Sequence, residues 1–166
     1  VIDNTAYAAP IGLQVNVSKR IEVERKTAYD NVVGIALNHH LTSGLEDVTL
    51  GFGYLEESVR LAGSDVYDNN LPNPVSGGLV GSLPTGIGLL MAGADGSYVE
   101  DNSLTGNNFA GIALIDYCIA SGETDPDCAP SDNTIVRNTI TGNGTDPPDH
   151  HFEDLASDVI VVGAGT

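Results

Sequence analysis

Short blocks of residues recur along this chain at a fixed interval. Asn4-Thr5-Ala6-Tyr7 returns 22 residues later as Lys26-Thr27-Ala28-Tyr29, and Ile11-Gly12-Leu13-Gln14-Val15 returns at the same offset as Val33-Gly34-Ile35-Ala36-Leu37. Asp101-Asn102-Ser103-Leu104-Thr105-Gly106 matches Arg137-Asn138-Thr139-Ile140-Thr141-Gly142 at an offset of 36, and the surplus falls between Cys118 and Ser131. Ser64-Asp65-Val66-Tyr67-Asp68-Asn69 precedes the Asn102 unit by 38 residues, with its surplus between Leu71 and Thr85. A unit of about 22 residues that tolerates insertions at set places is the mark of a solenoid, in which each rung buries its apolar side only against its neighbours.

Within each unit the apolar residues alternate, as in Ile21-x-Val23, Gly34-Ile35-x-Leu37, Gly86-Ile87-x-Leu89 and Gly111-Ile112-x-Leu114. Such runs are short strands with one face inward. About three strands and their corners fill a unit of this length at roughly 3.3 Å per residue. Stacking the units places equivalent strands in parallel. The expectation is an all-β, right-handed parallel β-helix forming one domain over 1–166, with insertions at 71–85, 118–131 and 145–157.

Aligning the units produces two polar columns. One holds Asn4, Lys26, Ser64, Asn102 and Asn138, and the other holds Ala9, Asn31, Asn69, Asn107 and Asn143. Asparagine accepts a left-handed backbone and hydrogen-bonds within a turn. Stacked at 4.7–4.8 Å, as in other parallel arrays, its amide also pairs with the amide above it. Both columns are therefore read as structural corners.

The units Val99–Leu114, Ile135–Gly144 and Ile21–Leu37 resemble the right-handed parallel β-helix repeat proteins of the pectate-lyase-like superfamily. The resemblance implies a fold for most of the chain and only a range of activities: polysaccharide lyases, hydrolases and epimerases stand beside non-catalytic adhesins and sugar-binding proteins. Lys26 departs from the asparagine pattern. So does the stretch between Asn38 and Gly63, where Glu56 and Glu57 stand near the expected Gly-Ile slot.

The chain carries 6 basic and 23 acidic residues, a net charge of −17. That surface repels phosphate backbones and anionic lipid, so nucleic acid is not an expected partner. No apolar run of about 18 residues exists to span a membrane as a helix. Cys118 and Cys128 flank a segment rich in Gly, Asp, Pro and Ser. They are read as a loop-closing disulfide, which places the chain outside the cell, on its surface or in the periplasm; a reduced pair is the alternative. Neither a C-x-x-C spacing nor a third nearby ligand supports a metal centre. Both ends look cut, with no capping helix before Asn4 and the strand Val159-Ile160-Val161-Val162 running almost to Thr166. Further rungs, a neighbouring domain or other subunits are expected there.

No catalytic constellation is convincing. Inverting glycosidases need two carboxyl groups with room for a water between them, and Asp30 and Asp68 are the pair that stacking would bring nearest. The run Asp149, His150 and Glu153, within the 145–157 insertion, is the most chemically loaded stretch. His39-His40 and His150-His151 are adjacent pairs whose rings point to opposite faces of a strand, so neither chelates one ion alone. Ca2+ is the one cofactor the acidic corners leave open, although no EF-hand loop is present. Four of the six cations lie between Lys19 and Lys26; at rung corners they are expected to be solvated. Asn16-Val17-Ser18 and Asn143-Gly144-Thr145 are formal glycosylation triplets. Gly77-Gly78-Leu79-Val80-Gly81 is read as a flexible part of its insertion. The loops from Leu71 to Thr85 and from Cys118 to Ser131 are the candidate partner contacts. Two functional classes follow: a non-catalytic scaffold, filament component or glycan-binding module, and a polysaccharide-processing enzyme.

Overall fold

Three-residue runs such as Thr-Ala-Tyr put one small apolar side chain inward and two polar or aromatic ones outward, and each is stopped by a residue that accepts positive φ. In the computed structural model, which describes residues 1–16, 18, 20–38, 59–122, 124, 128–148 and 153–163, these and longer strands, fourteen among the described residues, wind into a parallel β-helix. The first rung holds β1 (Thr5–Tyr7), β2 (Ile11–Asn16) and β3 (Ile21–Glu24), and the second β4 (Thr27–Tyr29), β5 (Val33–Asn38) and β6 (Val59–Ala62). The third holds β7 (Asp65–Tyr67), β8 (Ile87–Ala92) and β9 (Tyr98–Glu100). β10 (Ser103–Thr105), β11 (Ala110–Ile115) and β12 (Thr134–Val136) make the fourth, and β13 (Thr139–Thr141) and β14 (Ser157–Val162) belong to the fifth.

Equivalent strands stack into three all-parallel sheets: a short sheet β1-β4-β7-β10-β13, a long sheet β2-β5-β8-β11-β14 and a third sheet β3-β6-β9-β12. The register is the one the repeats imply. Ala6 pairs with Ala28, Ala28 with Val66, Val66 with Leu104, and Leu104 with Ile140. Of these, Ala28, Val66 and Leu104 meet Ile35, Leu37, Leu89, Met91 and Ile112 from the long sheet and Val23, Leu61 and Val99 from the third sheet in one interior column, with Ile140 packed against it.

The inner strands of the long sheet are buried on both faces. Every residue of β5 and of β8 is buried. Val33, Ala36, Ile87, Leu90, Ala110, Ala113 and Ile160 form a second cluster on its outer side, closed over by Leu83, Phe109 and Tyr117. The insertions supply much of that cover. The 71–85 segment contains α1 (Gly78–Ser82), so the glycine-rich run is a helical turn rather than featureless loop. The 118–131 segment begins in α2 (Tyr117–Ser121), whose first turn donates Cys118 N and Ile119 N to Asp116 Oδ1 at 2.8 and 3.4 Å, and whose end turns at Gly122 with φ +75°. The two helices approach each other across the sheet. The 145–157 insertion holds a 3-10 turn at Glu153–Leu155. Cys118 and Cys128 form the expected disulfide with Cα atoms 5.5 Å apart.

Residues with positive φ immediately precede the two polar columns. Asp3, Arg25, Gly63, Asp101 and Arg137 precede Asn4, Lys26, Ser64, Asn102 and Asn138; Ala8, Asp30, Asp68, Gly106 and Gly142 precede Ala9, Asn31, Asn69, Asn107 and Asn143. The left-handed residue turns the chain so that the next side chain points inward at the corner. In the second column Asn31 Nδ2 donates to Asn69 Oδ1 at 2.9 Å, Asn69 Nδ2 to Asn107 Oδ1 at 3.0 Å, and Asn107 Nδ2 to Asn143 Oδ1 at 2.9 Å. Each amide also ties backbone: Asn69 Nδ2 reaches Ala28 O and Tyr67 O, and Asn107 Oδ1 receives Asn69 N. The first column is mixed. Asn102 Nδ2 donates to Asn138 Oδ1 at 2.9 Å, Ser64 N to Asn102 Oδ1 at 2.9 Å, and Lys26 N to Ser64 Oγ at 3.1 Å.

A column of glycines lets these amides sit so close. Gly12, Gly34, Gly88 and Gly111 occupy equivalent positions, so the register aligns Gly88, not Gly86, with its fellows; Gly86, at φ +91°, lies before the strand. A Cβ on Gly34 would lie 2.7 Å from Gly88 O and 2.8 Å from Asn69 Nδ2, and a Cβ on Gly88 would repeat both contacts one rung on. At Gly77, which is not left-handed, a Cβ meets nothing within 4 Å. Gly34→Ala or Gly88→Ala is therefore expected to destabilise the fold by about 1–3 kcal/mol through overpacking, while Gly77→Ala stays within about 0.5 kcal/mol of wild type. Denaturant melts of the three variants check this, and an unchanged midpoint for Gly88→Ala would contradict the register.

Candidate functional site

Each sheet presents a different surface, and together these surfaces hold the candidate sites. On the outer side of the short sheet stand Thr5 and Tyr7, Thr27 and Tyr29, Asp65 and Tyr67, Ser103 and Thr105, and Thr139 and Thr141, in register. Tyr7, Tyr29 and Tyr67 stack with ring centroids 5.4 Å apart at both steps. Tyr7 is 61% exposed, while Tyr29 and Tyr67 are half-buried.

The outer side of the third sheet carries Glu22 and Glu24 on β3, Arg60 on β6 and Glu100 on β9. Arg60 Nη1 donates to Glu22 Oε1 at 3.0 Å and to Glu24 Oε1 at 3.1 Å, and its Nε donates to Glu100 Oε1 at 2.9 Å. Glu100 is buried and is gripped from the other side by Arg137. Arg137 also binds Asp101 in bidentate fashion, at 2.9 and 3.0 Å, and Arg25 holds Asp3 the same way, at 2.6 and 2.9 Å. Arg25 further contacts Glu24. Three arginines and five carboxylates thus form one connected ribbon along the helix axis.

Charge balance in this ribbon sets the local proton affinities. Hydrogen bonds from Arg25 hold the Asp3 carboxyl below its ordinary range, and Arg137 does the same to Asp101. The arginines are raised in turn, chiefly by the same bonds for Arg25 and Arg137 and by Glu100 for Arg60.

Lys26 is not the solvated corner cation that the sequence suggests. It is fully buried in the first column, its Nζ donates to Asn4 Oδ1 at 2.5 Å, and burial lowers its pKa. The reason is positional: the residue after a left-handed corner points inward whatever its chemistry. Arg25, one position earlier, points out and pairs. A cationic groove does not form from this pair, and Lys19 lies outside the described residues.

The remaining candidates separate. Asp30 and Asp68 lie on adjacent rungs at one corner, both at positive φ, and the backbone N–H of Asp30 donates to Asp68 O at 3.1 Å. Their placement is that of corner residues, and neither lines the cleft beside the 71–85 insertion. Asp149, His150, His39 and His40 lie outside the described residues, as do Glu56 and Glu57; Glu153 starts the 3-10 turn. Asn143 is buried and its amide is committed to Leu104 O, so the triplet that begins there is closed to glycosylation. A cleft of about 510 Å3 lies between the 71–85 insertion and Pro148, beside Asn70, Asn73 and Thr85. Its amides are already used: Asn70 Nδ2 donates to Gly106 O at 2.8 Å and Asn73 Nδ2 to Val80 O at 2.7 Å.

One residue escaped the sequence reading. Asn143 donates both its backbone N–H, at 3.0 Å, and its Nδ2, at 2.9 Å, to Asp158 Oδ1. Asp158 stands in register with Gly111, where the glycine column would continue. That alignment was the available signal.

No family model matches the chain, and neither the curated proteins nor the solved structures contain a match.

The ribbon makes a prediction about pH. A depressed carboxyl contributes stability that is present above its unfolded pKa of about 3.9 and is lost as pH falls through the lower folded value. Asp101→Asn keeps a residue that tolerates positive φ but removes the charge. Wild type and variant should therefore melt apart at neutral pH and converge in acid below the ordinary aspartate range. Thermal melts followed from pH 7 downward check this; an unchanged gap in acid would show that the pair does not titrate as described.

Proposed function

We propose that this chain is a non-catalytic β-helix module of the cell exterior, a rigid scaffold whose short-sheet face is a glycan-binding surface. The observation that carries the reading is the assignment of the described outward faces. The inner strands β5 and β8 of the long sheet are sealed on both sides. The third sheet's arginines are held in the inter-rung ribbon and are not aimed at an open groove. The short sheet offers a regular row of hydroxyls beside the tyrosine stack, and tyrosine joins an apolar ring to a polar tip, as contact with a sugar requires.

A lyase or epimerase acting on acidic polysaccharide needs cations facing the substrate carboxylates. The short sheet's outward residues include Asp65 and no cation, which favours a neutral glycan. The disulfide supports an oxidising compartment. The net charge of −17 keeps such a scaffold soluble and away from anionic polymers.

Affinity electrophoresis against neutral and acidic polysaccharides, run beside assays for new reducing ends and for unsaturated products, tests the reading. Retardation by a neutral glycan without turnover is expected, and it should be lost in Tyr29→Ser. Turnover of any of the polymers would overturn the non-catalytic reading. Equal retardation of wild type and Tyr29→Ser would move binding away from the short sheet, and no retardation at all would remove the glycan from the proposal.

A further inference from the structure

β14 is the outermost strand of the long sheet among the described residues, none of which pairs with its outer edge, and its composition is unguarded. β14 reads Ser-Asp-Val-Ile-Val-Val, and its core-side residues Val159 and Val161 are 45% and 59% exposed. A short β-branched strand with a free edge is a template for pairing with another chain. The single charge in this strand is Asp158.

The position of that charge is specific. At each lower rung the residue in the glycine column has no side chain because the next rung fills the space. A Cβ on Gly111 would lie 2.7 Å from Asp158 O and 2.8 Å from Asn143 Nδ2, as one on Gly88 would lie 2.7 Å from Gly111 O and 2.8 Å from Asn107 Nδ2. Asp158 breaks the series by carrying a Cβ and a carboxylate. Its Oδ1 accepts from Asn143 N and Nδ2 at 3.0 and 2.9 Å. Asn143 Oδ1 accepts from Asn107 N and Nδ2 at 3.1 and 2.9 Å. The two acceptors are interchangeable in geometry. Asp158 Oδ1 therefore stands where the amide oxygen of a next asparagine would stand, and its Cβ points at the path of a next strand's backbone.

We propose that Asp158 is a stop for the stack: it closes the asparagine ladder with its own carboxylate and bars a second copy of this chain from adding a strand in register to the free edge of β14. Two effects act together. An incoming rung meets the Cβ at a distance that real contacts do not reach. It would also strip water from a carboxylate to which, among the described residues, Asn143 supplies two donors, a burial that is unfavourable without a cation. Inward-pointing charge is a known way of blunting sheet edges, and here the same atoms also satisfy the last amide.

Sedimentation velocity over a wide concentration range, with thermal melts of the same samples, separates the two roles. Wild type and Asp158→Asn should both run as one species, because asparagine retains the acceptor and the Cβ. Asp158→Ala should also stay a single species but melt about 5 °C lower, since Asn143 loses its acceptor while the Cβ remains. Asp158→Gly removes both and should form species that grow with concentration, at least tenfold larger in weight-average mass at the highest loading. Concentration-dependent assembly of wild type, assembly of the alanine variant equal to that of the glycine variant, or a folded glycine variant that stays a single species would each overturn the stop. If the glycine variant does not fold, an alanine variant melting with wild type would overturn the closing of the ladder, and a lower melt with a single species would support it.

Discussion

The column of asparagine amides inside one corner of the helix is the constraint on which the other features depend. A parallel stack leaves every corner with backbone groups that cannot pair within their own rung, and a buried, unpaired polar group costs about 1–3 kcal/mol. Asn31, Asn69 and Asn107 each bridge their own turn, the rung before and the rung after, and Asn143 joins the rung before to Asp158. The left-handed residue ahead of each one aims the side chain inward. The glycine opposite leaves room for it. Loss of any of the three would misplace the other two, so residue type is set by geometry along whole columns.

Fixed corners free the outer surface for other uses. Insertions enter at corners beside the long sheet and fold over it, and β5 and β8 become a two-sided core. The third sheet binds successive rungs through the arginine ribbon, in which Glu100 is shared between Arg60 and Arg137. Among the described residues no insertion covers the short sheet, and its tyrosines and threonines face outward, exposed or half-buried. That division of labour, rather than any cluster of reactive groups, is what supports a binding and scaffolding role.

Much of this was legible because a repeat states its register directly. The pairing of Thr5 with Thr27 and of Ser103 with Thr139 follows the matched blocks, and both polar columns and the disulfide came from spacing alone. Other features required depth as well as order. Lys26 reads as a surface cation by residue type, yet the corner turns it inward. The continuous apolar runs of β5 and β8 mark strands buried on both sides, but which segments cover them is not written in the strands. Gly86 masks Gly88 because both sit beside apolar residues, and only the register separates them. Asp158 was hidden by the 145–157 insertion, which parts it from Asn143, and by its being an aspartate where a column of glycines leads the eye.

The most direct test of the ladder is amide hydrogen exchange at the backbone N–H groups of Asn69, Asn107 and Asn143. The first two donate to the side-chain oxygen of the following asparagine, at 3.2 and 3.1 Å, and the third to Asp158 Oδ1 at 3.0 Å. If the ladder holds the corners, these turn amides exchange only through global unfolding, as slowly as the core amides of β5 and β8. Exchange at the rate of an open surface turn would show that the strands alone carry the stack, and would contradict the account.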